Sequence, residues 1–112
     1  MSYEGIPKNV DEDELNKQSK HINKHEICIV YLLLCKNGNV YTGITKSLHQ
    51  RIAQHRRGVG AKYTKIHKVD CLLGFKAFGS RSDAATVERI IKKLPQALKF
   101  KLAEEWDTDL VL

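Results

Sequence analysis

The segment YLLLCKNGNVYTGIT, residues 31–45, contains two apolar runs joined by the dipeptide Asn37-Gly38. An Asn-Gly dipeptide between two such runs is the strongest short-range signal for a β-hairpin. The first run extends backwards into ICIVYLLLC, residues 27–35, which is almost continuously apolar. Such a run is typical of a strand that is covered on both faces. The segment therefore predicts a hairpin with a buried first strand.

The direction of the two tyrosines in this hairpin, Tyr31 and Tyr41, depends on the type of turn. A two-residue type I′ loop at Asn37-Gly38 places them on opposite faces of the sheet. A three-residue loop, with Gly38 in the left-handed conformation, pairs Tyr31 with Gly43 and places both tyrosines on one face. The sequence permits either turn, and only the second brings two phenols together.

The rest of the chain alternates between helical and extended patterns. The remaining predicted elements are a helix over residues 48–57 capped by Ser47 and ended by Gly58, a strand over 70–78, a helix over about 84–94 capped by Ser82 or Asp83, and a helix from Pro95 to about Trp106. The element order is β-β-α-β-α-α. This order predicts an α/β (α+β) domain, with a three-stranded antiparallel sheet flanked by helices.

Charge is distributed unevenly along the 112 residues. Residues 27–103 carry fifteen Lys and Arg against three Asp and Glu, whereas residues 1–26 and 104–112 are both net acidic. We therefore predict a basic domain between an acidic, mobile N-terminal arm and an acidic C-terminal tail. So few carboxylates among so many cations favour a polyanionic partner, and nucleic acid is the commonest one.

Localisation is predicted from what the sequence lacks. No apolar run approaches the roughly 20 residues of a membrane helix, and no signal peptide is visible, so we expect no membrane partner. The three cysteines lie in apolar runs, which predicts buried, reduced thiols. These features predict a cytoplasmic protein.

Polar residues border the apolar stripe of both main helices. Arg51 and His55 lie four residues apart beside the stripe of the first helix, and Glu88 borders the stripe of the second. An i,i+4 ion pair with Lys92 is the simpler interpretation of Glu88. The alternative is a semi-buried carboxylate that holds a divalent cation. Phenols, a guanidinium, an imidazole and a carboxylate can together hydrolyse a phosphodiester.

Four motifs in order resemble those of the GIY-YIG nuclease superfamily. They are IVY at residues 29–31, YTG at 41–43, RIAQH at 51–55 and VERIIKKL at 87–94. YTGIT, RIAQH and GAKYT (residues 60–64) look most like its small stand-alone bacterial branch, and the resemblance covers about residues 27–101. Ile29 and Thr42 depart from the motif glycine and isoleucine, so we expect altered packing at both positions.

The resemblance implies a metal-dependent endonuclease that hydrolyses DNA by direct attack of water, without a covalent intermediate. Tyr31 matches the tyrosine that orients or activates water, and Tyr41 the one that positions water and phosphate. Arg51 matches the arginine that stabilises phosphate charge, and His55 a position that assists proton transfer. Glu88 matches the glutamate that binds one Mg²⁺ or Mn²⁺ ion. The family roles suggest DNA repair, recombination or processing.

A basic surface is predicted to contact the nucleic acid. Its residues are Lys46, Arg56, Arg57, Lys62, Tyr63, Lys65 and Lys68. Single-stranded, branched and duplex DNA remain alternatives as substrate. The rival functions are a ribonuclease and a non-catalytic nucleic-acid-binding module. Dependence on a protein partner, or on a second copy of the chain, also remains open.

Overall fold

The sheet has the predicted antiparallel topology. The computed structural model describes residues 26–108, so the acidic arm lies outside the described residues except for Glu26. The strands are β1 (Cys28–Cys35), β2 (Val40–Thr45) and β3 (Val69–Phe78). Their order in the sheet is β2-β1-β3, with both pairs antiparallel. The predicted three-stranded sheet with flanking helices is confirmed, and the apolar β1 is its central strand.

The hairpin uses the three-residue loop. Cys35 donates its backbone N–H to the Asn39 carbonyl, and Gly38 donates to the Cys35 carbonyl, both at 2.9 Å. Gly38 has φ +87°, a conformation that costs other residues free energy because their Cβ meets a carbonyl oxygen. Asn37 does not have the positive φ that a type I′ loop would require of both Asn37 and Gly38, so the backbone adopts the three-residue loop.

This loop fixes the register of the two tyrosines. Tyr31 pairs with Gly43, and Tyr41 pairs with Leu33. Side chains two residues apart along a strand share a face, so Tyr31, Leu33 and Tyr41 all point to one side of the sheet. The same-face alternative is correct.

Within residues 26–108, four helices flank the sheet. They are α1 (Leu48–Arg56), α2 (Lys62–Ile66), α3 (Arg81–Lys92) and α4 (Gln96–Ala103). The five-residue α2 adds one short helix to the predicted order. The predicted cap of α3 at Ser82 or Asp83 is wrong, because Ser80 accepts the Asp83 N–H at 3.0 Å. The last helix ends at Ala103 rather than near Trp106, and Ser47 precedes α1 without a side-chain cap.

The two faces of the sheet carry separate cores. On one face Val30 and Leu32 pack with Ala84 of α3 and other side chains of α3 and α4. On the other face Tyr31 and Leu33 pack with apolar residues of α1. The tyrosines therefore belong to the α1 face.

The packed unit continues beyond the predicted domain end at residue 103. Trp106 packs against the α3 face of the sheet, above Gly74. Phe75 of the edge strand β3 donates its N–H to the Asp107 carbonyl at 2.8 Å. The fold therefore extends at least to Asp107, into the segment that we predicted to be an acidic tail.

Two of the three cysteines are placed as predicted. Cys28 and Cys35 are buried free thiols, but Cys71 is exposed, which corrects the expectation that all three are buried. Within residues 26–108, none of the helices has the length and apolar character needed to cross a membrane.

Candidate active site

Tyr31 lies at the centre of the site. Its side chain is only 1% exposed, and its hydroxyl lies 2.8 Å from Nε2 of His55. Gly43, opposite on β2, makes room for this hydroxyl, since a Cβ there would lie 2.5 Å from the Tyr31 oxygen. The hairpin register and the glycine together place the phenol against α1.

His55 is equally enclosed, on the inner side of α1. It is 1% exposed, and its second ring nitrogen, Nδ1, lies 2.6 Å from the Thr64 hydroxyl on α2. Thr64 also donates to the Ala61 carbonyl at 3.1 Å. The sequence analysis named His55 but missed Thr64. The signal available was the position of Thr64 in the GAKYT motif, which gave no indication of its contact.

Burial keeps both groups neutral near pH 7. It raises the pKa of Tyr31 to about 12, against an opposing effect of the nearby Arg51 guanidinium. It lowers the pKa of His55 to about 4, with a further contribution from the positive charge of Arg51. The site thus holds a phenol that retains its proton beside an imidazole with one bare nitrogen.

Aromatic rings lead outward from this pair. The Tyr41 ring centroid lies 6.3 Å from that of Tyr31 and 5.1 Å from that of His55. The Tyr63 ring stacks on Tyr41 at 6.1 Å, and His67 follows Tyr63 at 4.7 Å. The predicted residue Tyr63 therefore extends an aromatic row from the buried site to the surface, which is the kind of platform on which nucleobases stack.

Arg51, whose guanidinium acts on the Tyr31 hydroxyl, also lines a basic cavity. The cavity has a volume of about 340 Å³, and its lining residues are Ile44, Thr45, Lys46, Ser47, Gln50, Arg51, Gln54 and Arg81. The lining includes three cations and no carboxylate. Arg51 is half-buried and donates to Gln54 Oε1 at 3.0 Å. Such a pocket suits a phosphate group.

Arg81 is a cavity residue that the sequence analysis did not select. It is the first residue of α3, thirty residues after Arg51, and no local pattern links the two.

Glu88 does not belong to the hydrogen-bonded cluster of Tyr31, His55 and Thr64. It lies on α3, which packs on the other face of the sheet, and forms an ion pair with Lys92 at 3.3 Å. The i,i+4 ion pair with Lys92, which was the simpler interpretation of Glu88, is therefore present. Its side chain is 20% exposed, and its charge contributes to the raised pKa of Tyr31. Among the described residues Glu88 makes no direct hydrogen bond to Tyr31 or Tyr41.

Glu88 is a partly exposed carboxylate whose charge is paired with Lys92. No group of three or more His, Cys, Asp or Glu side chains occurs within residues 26–108 that would form an all-protein metal cage. A single carboxylate is compatible with Mg²⁺ or Mn²⁺, because such ions retain waters and accept oxygens from a substrate. Glu88 is therefore compatible with such an ion, whose remaining ligands would be waters and substrate oxygens.

The predicted basic surface is exposed. Its exposed cations are Lys46, Arg56, Arg57, Lys62, Lys65 and Lys68. Of these, only Lys46 lines the cavity with Arg51, and the others belong to the last turn of α1, to α2 and to their flanking residues.

Thr42, which stands where the family motif has isoleucine, has a buried hydroxyl without a hydrogen-bond partner among the described residues. This departure from the motif therefore costs folding free energy.

Sequence comparison adds a family to this geometry. The model of the GIY-YIG catalytic domain matches residues 27–102, which is most of the chain. The chain belongs to the GIY-YIG family. This membership confirms the resemblance seen in the four motifs, and it associates the cluster around Tyr31 with a nuclease fold.

Several bacterial proteins of the UPF0213 group are similar to this GIY-YIG chain. One from Cupriavidus pinatubonensis is 46% identical over 70 residues, covering 62% of this chain and 78% of the relative. One from Staphylococcus saprophyticus is 39% identical over 84 residues, covering 75% of this chain and 99% of the relative. The solution NMR structure of a UPF0213 protein from Bacillus halodurans is 37% identical, covers 70% of this chain and 83% of that one, and has a TM-score of 0.45. These names specify no reaction.

Proposed function

We propose that this GIY-YIG protein is a metal-dependent endonuclease that hydrolyses DNA phosphodiester bonds. The observation that carries the proposal is the buried hydrogen bond between Tyr31 and His55, which Arg51 links to a cavity lined with cations. A buried phenol–imidazole pair is an arrangement for moving a proton, and a cationic cavity is an arrangement for holding a phosphate. Hydrolysis of a phosphodiester needs both.

Different residues of the chain act in the successive steps of the proposed hydrolysis. A phosphate bound in the cavity receives charge-assisted hydrogen bonds from Arg51. A water attacks the phosphorus and gives a proton to the Tyr31 oxygen, while Tyr31 passes its own proton to His55. The phosphorus–oxygen bond to the leaving strand breaks, and the leaving oxygen takes a proton from water. Tyr41, beside both rings, restricts where the water can lie.

Substrate binding favours this transfer. The positive charge of Arg51 helps to lower the pKa of His55. A phosphate bound by Arg51 offsets that charge and so raises the proton affinity of His55. The imidazole therefore becomes a better base when substrate is present.

A divalent ion, Mg²⁺ or Mn²⁺, would be held by Glu88 together with substrate oxygens. When bound, such an ion stabilises negative charge on the reacting phosphate. Glu88 forms an ion pair with Lys92, so this pair would have to break for the carboxylate to bind the ion.

The basic surface and the aromatic row favour nucleic acid as the substrate. Six exposed cations and stacked rings that include Tyr63 offer both phosphate contacts and base stacking. DNA is our proposed substrate, and a cytoplasmic role in DNA repair, recombination or processing follows from it. A ribonuclease and a partner-dependent binding module are the alternatives that the assay must separate.

The test is cleavage of single-stranded, duplex and flap DNA, and of RNA, with Mg²⁺, with Mn²⁺ and with a chelator. We expect DNA cleavage only with metal. Glu88→Gln should abolish cleavage while DNA binding persists, because the substitution preserves size and removes the charge. Asp83→Asn is the matched control, since Asp83 is an exposed carboxylate on the same helix.

Three outcomes would decide against the proposal. Cleavage of RNA alone would favour the ribonuclease, and binding without cleavage would favour the non-catalytic module. A Glu88→Gln variant that cleaves DNA at the wild-type rate would remove the metal assignment.

A further inference from the structure

Thr64 is the one buried polar contact of His55 that the proposed reaction does not use. It is completely buried on the short helix α2, nine residues after His55. Its hydroxyl touches two groups, Nδ1 of His55 at 2.6 Å and the Ala61 carbonyl at 3.1 Å. A buried hydroxyl between an imidazole and a carbonyl is placed to decide which ring nitrogen carries the hydrogen.

The hydrogen count favours one assignment. A threonine hydroxyl has a single hydrogen, and here it is donated to the Ala61 carbonyl, which can only accept. The Thr64 oxygen must then accept from His55, so Nδ1 carries a hydrogen. A neutral imidazole has only one N–H, so Nε2 is bare and accepts the Tyr31 hydroxyl hydrogen.

The opposite tautomer is disfavoured by the same contacts. With the hydrogen on Nε2, a bare Nδ1 would face the Thr64 oxygen at 2.6 Å. Either two lone pairs would then oppose each other, or Thr64 would abandon the Ala61 carbonyl. The Ala61 carbonyl would keep the Lys65 N–H at 3.1 Å, but the buried Tyr31 hydroxyl would lose Nε2 as the acceptor of its hydrogen, which costs about 1–3 kcal/mol.

The backbone at Gly60 restricts the ring as well. A Cβ at Gly60 would lie 2.7 Å from Nδ1 of His55 and 3.1 Å from Cε1. The backbone at residue 60 therefore lies directly against the imidazole, and the ring cannot swing away from Thr64 on that side.

We propose that Thr64 is a positioning residue that holds His55 in the Nδ1–H tautomer, leaving Nε2 bare to receive the Tyr31 proton. The consequence for catalysis rests on the proposed hydrolysis, but the tautomer does not. In the reaction the proton moves from water to Tyr31 and from Tyr31 to Nε2, and the resulting imidazolium keeps its Nδ1–H bond to Thr64. A base oriented by a third group is a recurring catalytic arrangement.

The first measurement is NMR of the histidine ring nitrogens in the full chain without substrate at pH 7. The signals of His55 among the five histidines are identified by their loss in His55→Gln. We expect Nδ1 to show the chemical shift of a protonated nitrogen and Nε2 that of a bare one. A wild-type protein with the hydrogen on Nε2 would overturn the proposal.

The second measurement compares three threonine variants. Thr64→Val keeps the shape of the side chain and removes the acceptor, so the Nε2–H tautomer should become the major form. Thr64→Ser keeps the hydroxyl and should retain the wild-type tautomer. Thr86→Val is the matched control, because Thr86 also donates to a carbonyl of its own helix, at 3.0 Å, but is exposed and lies on α3.

Cleavage rates add the catalytic consequence. We expect Thr64→Val to lose roughly 10- to 100-fold in cleavage rate, part of the contribution typical of acid–base catalysis. Thr64→Ser should remain within a few-fold of wild type. A Thr64→Val protein with the wild-type tautomer, or with a changed tautomer and an unchanged rate, would overturn the positioning role.

The two readouts separate this proposal from the endonuclease proposal. An inactive wild-type protein with the expected ring shifts would refute the nuclease and leave the tautomer assignment standing. If Thr64→Val does not fold, the wild-type spectrum and Thr64→Ser decide the question alone.

Discussion

The contact between Gly43 and Tyr31 gives a sharp test of the site geometry. In Gly43→Ala, the new Cβ would lie 2.5 Å from the Tyr31 oxygen and 2.6 Å from Cζ. The ring would have to retreat by about 1 Å before ordinary contact distances are restored. Tyr31 is 1% exposed and packed against α1, so nothing on that side offers space. The hydroxyl should therefore lose its 2.8 Å bond to His55.

The expected loss of stability in Gly43→Ala has two parts. Forcing extra atoms into a packed core costs about 1–3 kcal/mol. Leaving the buried His55 nitrogen without its donor costs about 1–3 kcal/mol more. We expect Gly43→Ala to lower the free energy of unfolding by about 2–6 kcal/mol. That is a large part of the about 5–15 kcal/mol of a typical domain.

The assay is urea unfolding followed by fluorescence of the single tryptophan, Trp106, which packs on the opposite face of the sheet. Gly38→Ala is the matched control, a glycine-to-alanine change in the same hairpin with no atom within 4 Å of the new Cβ. Its left-handed backbone should cost only about 1–2 kcal/mol. DNA cleavage should be lost in Gly43→Ala and retained in Gly38→Ala. A Gly43→Ala protein that is as stable as Gly38→Ala and fully active would refute the reasoning.

Three further predictions concern the same site. Lowering the pH from about 6.5 to about 4 should remove up to about 3 kcal/mol of stability, because His55 binds a proton in this range when the protein is unfolded but not when it is folded. His55→Gln should flatten this part of the plot of urea midpoint against pH. An unchanged slope in that variant would exclude His55 as the source of the pH dependence. Tyr31→Phe should lose about 1–3 kcal/mol and roughly 100-fold or more in cleavage rate, whereas the half-buried Tyr41→Phe should lose less stability in the same urea titration; equal losses would contradict the central place of Tyr31. Lys92→Ala should lower the Mg²⁺ concentration for half-maximal cleavage about twofold, because its ion pair with Glu88 is worth about 0.3–0.5 kcal/mol; a higher requirement in a Mg²⁺ titration would show that Lys92 assists the metal site.

The sequence by itself determined the three strands and the three longer helices of this protein, and several of the residues at its candidate site. Apolar runs of strand length, an Asn-Gly turn and helical stripes are local patterns, and local backbone preference is enough to predict them. The same local spacing identified Arg51 and His55 as neighbours on one helix. Four ordered motifs then indicated the GIY-YIG family, which sequence comparison confirmed.

The tertiary structure decided which of these residues meet. The choice between two hairpin turns depended on the backbone of Asn37, which does not adopt the positive φ of a type I′ turn. The contact between His55 and Thr64 depended on how α2, a helix too short for its sequence to signal, returns to α1. Arg81 reached the cavity of Arg51 through the packing of α3, and Glu88 came to lie on the helix behind the sheet. Such contacts arise from burial between distant segments, and the free energy of burial depends on neighbours that local sequence does not specify.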